Sequence, residues 1–312
     1  MPRPSDPRRS RLRCRHGRRV RRAGEGTVMR RSVGKTRTVG MVGMSGQERT
    51  VEAVVSIPGA EPWSAAGSGE RGAVGVIVTH GFTGNPASTR PLGQRLAAEG
   101  FSVEVPVLPG HGTDHHDLAR TRYSDWVGAV ERLVDHLRPR LEYLILVGHS
   151  MGGTLSLDIA SRRPTEIDAV VSINAPLTDR GGLLATLSPL LQYLVPSVPR
   201  GLAGMPPNDV ARPGVRELAY DRVPARAAHS LLVELPRIRA QLLDLTQPLL
   251  VVRSLVDHTV PPRDGLELQE LVGSADVREM LCERSYHVVM LDHDGPAVEA
   301  AVVEFVTDVT GS

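Results

Sequence analysis

Residues 144–153 read LILVGHSMGG. Four apolar, strand-like residues, Leu144 to Val147, run into Gly148-His149-Ser150-Met151-Gly152, and a helix-compatible stretch from Gly153 to Ser161 follows. Strand, sharp turn and helix in that order are the setting that a G-x-S-x-G elbow requires. A serine at the tip of such a turn takes a strained backbone conformation. Side chains two residues to either side would collide, so both places go to glycine. The turn lifts the Ser150 hydroxyl clear of a sheet and aims the next helix's N-terminus at it. The Met151 N–H then becomes half of an oxyanion site.

Outward from the elbow, strands alternate with helices. Val51–Ile57 reads as a first strand, and Ala73–His80 is a near-continuous apolar run of the kind that a strand buried on both faces shows. A helix over Ser88–Ala98, stopped by Gly100, leads to a strand at Phe101–Val107. Ser124 or Asp125 caps a helix through about Leu137, whose apolar residues Trp126, Val127, Val130, Leu133, Val134 and Leu137 share one side. Further strands fall at Tyr143–Val147, Asp168–Ile173, Leu249–Arg253 and Val277–Cys282, with helices near Leu266–Leu271 and over Gly295–Val309. The pattern predicts an α/β fold: a mostly parallel sheet with helices on both faces. Residues 176–245 break the rhythm. They read as an inserted helical cap, with helical pieces near Gly182–Leu194 and Ala225–Leu245. Leu183, Leu184, Leu187, Leu190 and Leu191 either line an acyl pocket or pack on the core.

A serine needs a general base. In this architecture the acid and the base follow in the order Ser, Asp or Glu, His. Asp257 lies just past the strand Leu249–Arg253, and His287 just past Val277–Cys282, so both sit where open α/β sheets place their sites. Asp292 and Asp294 come after His287, in the wrong order, and Asp244 precedes a strand. His258 abuts Asp257 and should point elsewhere, and His293 lies close to the terminal helix. His80 and His149 are read as structural hydrogen-bonding groups. The second oxyanion donor is expected from Thr79-His80-Gly81-Phe82-Thr83-Gly84, with the Phe82 N–H as partner of the Met151 N–H. The cluster His111, Asp114, His115, His116 and Asp117 lacks the helical spacing of a zinc site and reads as a structured loop near the site mouth, with no metal expected.

The net charge of +2 hides an asymmetry. Fourteen of the 37 basic residues but only two of the 35 acidic ones lie in residues 1–38, giving +12 there and −10 in the rest. Residues 1–50 read as a basic, disordered extension, or as an early start with Met29, Met41 or Met44 beginning the protein. Arg30-Arg31 precedes a stretch too polar for an export signal, and Gly34-Lys35-Thr36 lacks the first glycine of a phosphate loop, since position 29 is Met. No apolar run approaches the roughly 18 residues of a membrane helix. Two cysteines, Cys14 and Cys282, suggest no disulfide framework. A cytoplasmic protein is expected, with residues 51–312 as one catalytic domain; nucleic acid is not an expected partner.

The chain resembles the α/β-hydrolase superfamily, and within it the bacterial carboxylesterase and monoacylglycerol lipase group. The segments that carry the resemblance are His80-Gly81-Phe82-Thr83-Gly84, Leu108-Pro109-Gly110-His111-Gly112-Thr113, Gly148–Gly153, Asp257-His258-Thr259-Val260-Pro261 and Ser285-Tyr286-His287 with Asp292. The resemblance implies a Ser150–Asp257–His287 triad, a Phe82/Met151 oxyanion hole and a small cap. It also implies hydrolysis of short- to medium-chain carboxylic esters, monoacylglycerols among them, without a cofactor. A thioesterase or C–C hydrolase would use the same triad, and a non-catalytic ligand-binding homologue would keep the fold alone. Dehalogenase and epoxide hydrolase chemistry is disfavoured, because the elbow carries Ser and not Asp.

Overall fold

Every residue of the strand Val74–Thr79 is buried, and its side chains divide between two cores. Ile77 packs with Leu144 and Leu146 on one face; Val74, Val76 and Val78 pack with Ile145 and Val147 on the other. A strand covered on both sides has no solvent face to mark with polar residues, which explains the unbroken apolar run. The computed structural model describes residues 55–178 and 188–312, with backbone alone at 11–13, 188 and 191.

The strands are β1 (Arg11–Arg13), β2 (Trp63–Ala65), β3 (Val74–Thr79), β4 (Ser102–Val105), β5 (Tyr143–His149), β6 (Ala169–Ile173), β7 (Ser197–Pro199), β8 (Arg222–Pro224), β9 (Leu249–Ser254) and β10 (Val277–Cys282). Eight form one sheet in the order β1-β10-β9-β6-β5-β3-β4-β2, parallel except where β2 runs against β4. β7 and β8 form a separate antiparallel pair. Two helices, α1 (Arg90–Ala98) and α9 (Gly295–Thr310), cover one face through Leu92, Leu96, Val298, Val302 and Phe305. Between them in the chain come α2 (His115–Ala119), α3 (Tyr123–Leu137), α4 (Met151–Arg162), α5 (Ser188–Leu194), α6 (Ala225–Leu232), α7 (Leu235–Gln241) and α8 (Arg263–Leu271). The opposite core is built from Trp126 and Val130 of α3, Leu155 and Ile159 of α4, and Leu235 and Ile238 of α7. No helix of the described residues is long and apolar enough to cross a membrane.

Several expectations need correction. Val51–Ile57 is not a first strand where it is described: residues 55–57 carry no ladder, and the outer edge is β2, paired with β4. Within the basic extension, Arg11–Arg13 pairs with β10, whose outer edge offers unpaired backbone groups to any extended segment. The third helix begins at Tyr123; Asp125 sits one turn inside, where its carboxyl accepts from the Arg122 N–H at 2.8 Å. The cap over 176–245 is drawn too wide. α6 and α7 bury Ala227, Leu231, Leu235 and Ile238 in the same core as α3 and α4; α6 packs against α2, α3 and α5, α7 packs against α4, and Arg237 reaches Asp158 at 2.9 Å. Leu231 and Leu235 join the core that α3 and α4 share, so this stretch is body and not cap. Of the leucines proposed for an acyl pocket, Leu183, Leu184 and Leu187 lie outside the described residues, and Leu190 is 58% exposed and so does not pack on the core.

Candidate active site

Parallel strands end on the same side, so the loops after β3, β5, β6, β9 and β10 converge there. After β5 the ladder continues one step: the Ser150 N–H donates to Ile173 O at 2.8 Å and holds Ser150 at φ 53°, ψ −123°. Such a backbone costs roughly 1–3 kcal/mol in an L-residue and persists only where its surroundings impose it. Here they do. A Cβ at Gly148 would overlap the Gly152 carbonyl, and one at Gly152 would overlap the Thr79 carbonyl. Both glycines of the motif are therefore places where backbone touches backbone.

The structure brings Asp257 and His287 together. Asp257 Oδ2 accepts from His287 Nδ1 at 2.8 Å, with both side chains almost fully buried. Asp257 Oδ1 accepts from the Thr259 and Val260 N–H groups at 2.7 and 2.6 Å. Burial pushes the Asp257 carboxyl up, but the His287 charge, its hydrogen bond and the two amides outweigh this and hold it below the usual carboxylate range. Burial likewise pushes His287 down. The Asp257 charge and hydrogen bond, then Asp209 and Glu217, overcome it and hold the imidazole above the ordinary histidine value. The His287 ring lies 4.8 Å from the ring of His149, the residue before Ser150. The Ser150 hydroxyl and His287 Nε2 do not hydrogen-bond to each other among the described residues; such bonds commonly tighten only when substrate is present.

The two expected oxyanion donors also approach Ser150. Gly84 N–H donates to Gly81 O at 3.2 Å, closing a turn that carries Phe82 at its bend. A Cβ on Gly81 would come 3.1 Å from the Ser150 Cβ, so this turn runs against the elbow. The Phe82 and Met151 N–H groups make no hydrogen bond to the described residues. The Met151 side chain is fully buried in the core.

Two histidines brace this site as neutral groups. His80 Nε2 accepts from the Leu108 N–H at 3.1 Å, so its proton is on Nδ1, which donates to Gly81 O at 2.9 Å. Burial lowers its pKa to about 4. His149 Nε2 donates to the His287 carbonyl at 2.9 Å, and burial, then the His287 charge, lower its pKa to about 3. The same carbonyl accepts from Asn174 Nδ2 at 2.8 Å.

The rejected rivals have structural work. Asp292 accepts from the Ala211, Arg212, Tyr286 and His293 N–H groups. Asp294 holds Arg284 and Ser285. Asp244 and His293 are exposed. His258 turns away from His287 and donates to Asp209 Oδ1 at 2.7 Å. In the histidine-rich loop, Asp114 caps α2 by accepting from the His116 and Asp117 N–H groups, and His111 packs among His80, Phe82, Trp126 and Tyr220. Among the described residues no group of three or more His, Cys, Asp or Glu side chains converges on a metal position.

Other residues around the site had weak sequence signals. Asn174, at φ 46°, follows β6 and exchanges hydrogen bonds with Ser254 as well as holding His287 O. Its signal was a polar residue ending a fully buried strand on the catalytic edge. Arg200 and Glu217, from the insert, form a buried ion pair at 3.3 Å, and Arg200 also donates to Thr83 Oγ1 at 3.2 Å. No local pattern marks either.

Residues 71–294 match the family described as serine aminopeptidase, S33. The chain is 34% identical over 258 residues to a thermostable monoacylglycerol lipase of Bacillus sp. (strain H-257), covering 80% of this chain and 95% of that protein. It is 26% identical over 234 residues to a carboxylesterase of Bacillus subtilis, covering 74% and 91% respectively. A solved structure from work on LipS and LipT, two metagenome-derived lipolytic enzymes, superposes with a TM-score of 0.75 at 32% identity, covering 81% of this chain and 99% of that one.

Proposed function

The chain belongs to the serine aminopeptidase S33 family within the α/β-hydrolases, and from that membership we propose how it works as a carboxylic ester hydrolase. Ser150 is the nucleophile, His287 the general base and Asp257 the group that orients it. As Ser150 Oγ attacks the ester carbonyl carbon, its proton passes to His287 Nε2. The carbonyl oxygen becomes an oxyanion held by the Phe82 and Met151 N–H groups. Collapse breaks the C–O bond, and the leaving alcohol takes the proton from Nε2. Water then attacks the acyl-enzyme with His287 as base and returns the serine. Asp257 fixes the tautomer with the proton on Nδ1 and stabilises the imidazolium.

The observation that carries this reading is the buried 2.8 Å contact of Asp257 with His287 Nδ1, next to an elbow serine held at φ 53°. The substrates proposed are short- to medium-chain acyl esters; that monoacylglycerols are among them is supported by the name of the Bacillus sp. relative, a monoacylglycerol lipase. A cytoplasmic location remains part of the proposal; fractionation of the tagged full chain tests it. The catalytic reading is tested with a fluorophosphonate probe: wild type labels and Ser150→Ala does not. Equal labelling of the two would overturn it. A panel of p-nitrophenyl esters, monoacylglycerols, acyl-CoA and an aminoacyl anilide should show ester turnover well above thioester and amide turnover.

A further inference from the structure

Asp209 lies in the insert between β7 and β8 and is only 1% exposed. Its Oδ1 accepts from His258 Nδ1 at 2.7 Å. Its Oδ2 accepts from the His258 N–H at 3.0 Å and from Thr259 Oγ1 at 2.9 Å. Its own carbonyl accepts from the Val288 N–H at 3.1 Å. One residue of the insert thus grips the residue that directly follows Asp257 and the residue that directly follows His287.

We propose that Asp209 is a positioning residue for ester hydrolysis, locking the acid loop and the base loop in one register so that Asp257 Oδ2 meets His287 Nδ1. The inference rests on the triad reading above. Asp257 and His287 come from loops on different strands, tied at their roots by Ser254 Oγ donating to Tyr286 O at 2.8 Å and the Leu255 N–H donating to Cys282 O at 2.9 Å, and one side-chain hydrogen bond joins the two residues directly. A displacement of about 1 Å at either loop would break that bond, and misplacements of that size cost on the order of 10²-fold in rate. An apolar side chain could fill the same space. A carboxyl buried there is costly unless its oxygens are satisfied, and all three donors that satisfy it come from the acid loop. Two residues further on, the insert meets the base loop again: Asp292 Oδ2 accepts from the Ala211 N–H at 2.6 Å and the Tyr286 N–H at 2.9 Å. The charged and titratable groups facing His287 are Asp257, Asp209 and Glu217, with His149 beside the ring. Asp209 therefore also adds negative charge behind the imidazolium that forms during turnover.

Asp209→Asn and Asp209→Ala in the full chain, with Asp257→Asn as reference, test this on p-nitrophenyl butyrate across pH. Asparagine keeps an acceptor for His258 Nδ1 but loses the charge and one backbone bond. It should lower kcat about tenfold and alanine about 10²-fold, with KM within about twofold. The acidic limb of kcat/KM should move to lower pH in Asp209→Asn, because His287 loses a stabilising anion; a residue that serves stability alone would leave that limb in place. If Asp209→Ala does not fold, Asp209→Asn decides. A folded Asp209→Asn with kcat within about twofold of wild type and an unmoved acidic limb overturns the proposal, as does a loss confined to KM. A fully active Asp257→Asn overturns the triad reading itself. An inactive Asp257→Asn beside an unaffected Asp209→Asn overturns this inference alone.

Discussion

Asp257→Asn exposes the logic of the site, because the two carboxyl oxygens are not equivalent. Oδ1 accepts from two backbone amides, Thr259 and Val260, at 2.7 and 2.6 Å. An asparagine must keep its carbonyl oxygen there, since an NH₂ group would face two donors. Its NH₂ then points at His287 Nδ1 and forces that nitrogen to accept. The proton moves to Nε2, the atom proposed to take the serine proton. Enforcing the wrong tautomer in a triad of this type costs roughly 10⁴ in kcat, about 5.4 kcal/mol of transition-state stabilisation. Asp257→Ala acts differently. It leaves the imidazole free to adopt either tautomer but strips two buried amides of their acceptor, at about 1–3 kcal/mol of stability each. Asparagine should therefore be the less active variant and alanine the less stable one. Initial rates on p-nitrophenyl butyrate, with urea unfolding of both proteins, measure the two losses separately. An Asp257→Asn enzyme with more than about a tenth of wild-type kcat would refute the tautomer argument.

Three further outcomes follow from the geometry. Gly148→Ala drives a Cβ into the Gly152 carbonyl and should cost more than about 3 kcal/mol, seen as a fall in Tm of about 10 °C; an unchanged melting curve would contradict the clash. With His287 as the proposed base, which must be neutral to act, and its pKa held above the ordinary histidine value, kcat/KM should fall as pH drops through that raised pKa. A pH–rate profile whose acid limb lies below the ordinary histidine range would disagree. Arg200→Met leaves Glu217 buried without its partner and should destabilise by about 3–5 kcal/mol, whereas Arg200→Met with Glu217→Leu should recover most of that loss in urea unfolding.

Much of the sheet was legible because its strands are buried on both faces. Each announces itself as an apolar run between turn signals, and β5, β6, β9 and β10 fall within a residue or two of their expected bounds. The elbow was legible because steric crowding fixes glycine at Gly148 and Gly152. Asp257 and His287 were chosen by order and position alone, and in the structure their side chains meet at 2.8 Å. What could not be read depends on partners distant in the chain. Asp209 meets Val288, and Asn174 meets Ser254 and His287, with no local spacing to mark either pair. The cap boundary failed for a related reason. Helical periodicity in Ala225–Leu245 reads the same for a cap helix as for a body helix until Leu231, Leu235 and Ile238 are seen to join the core.

The insert touches three of the loops that build the site, those after β3, β9 and β10: Arg200 and Tyr220 meet Thr83, Asp209 meets His258 and Thr259, and Ala211 and Arg212 meet Asp292. It is therefore a poor candidate for module exchange. Grafting a foreign lid between β6 and β8 to change selectivity would remove the contacts that hold the proposed catalytic loops. Redesign should keep residues 200–220 and vary only what precedes them.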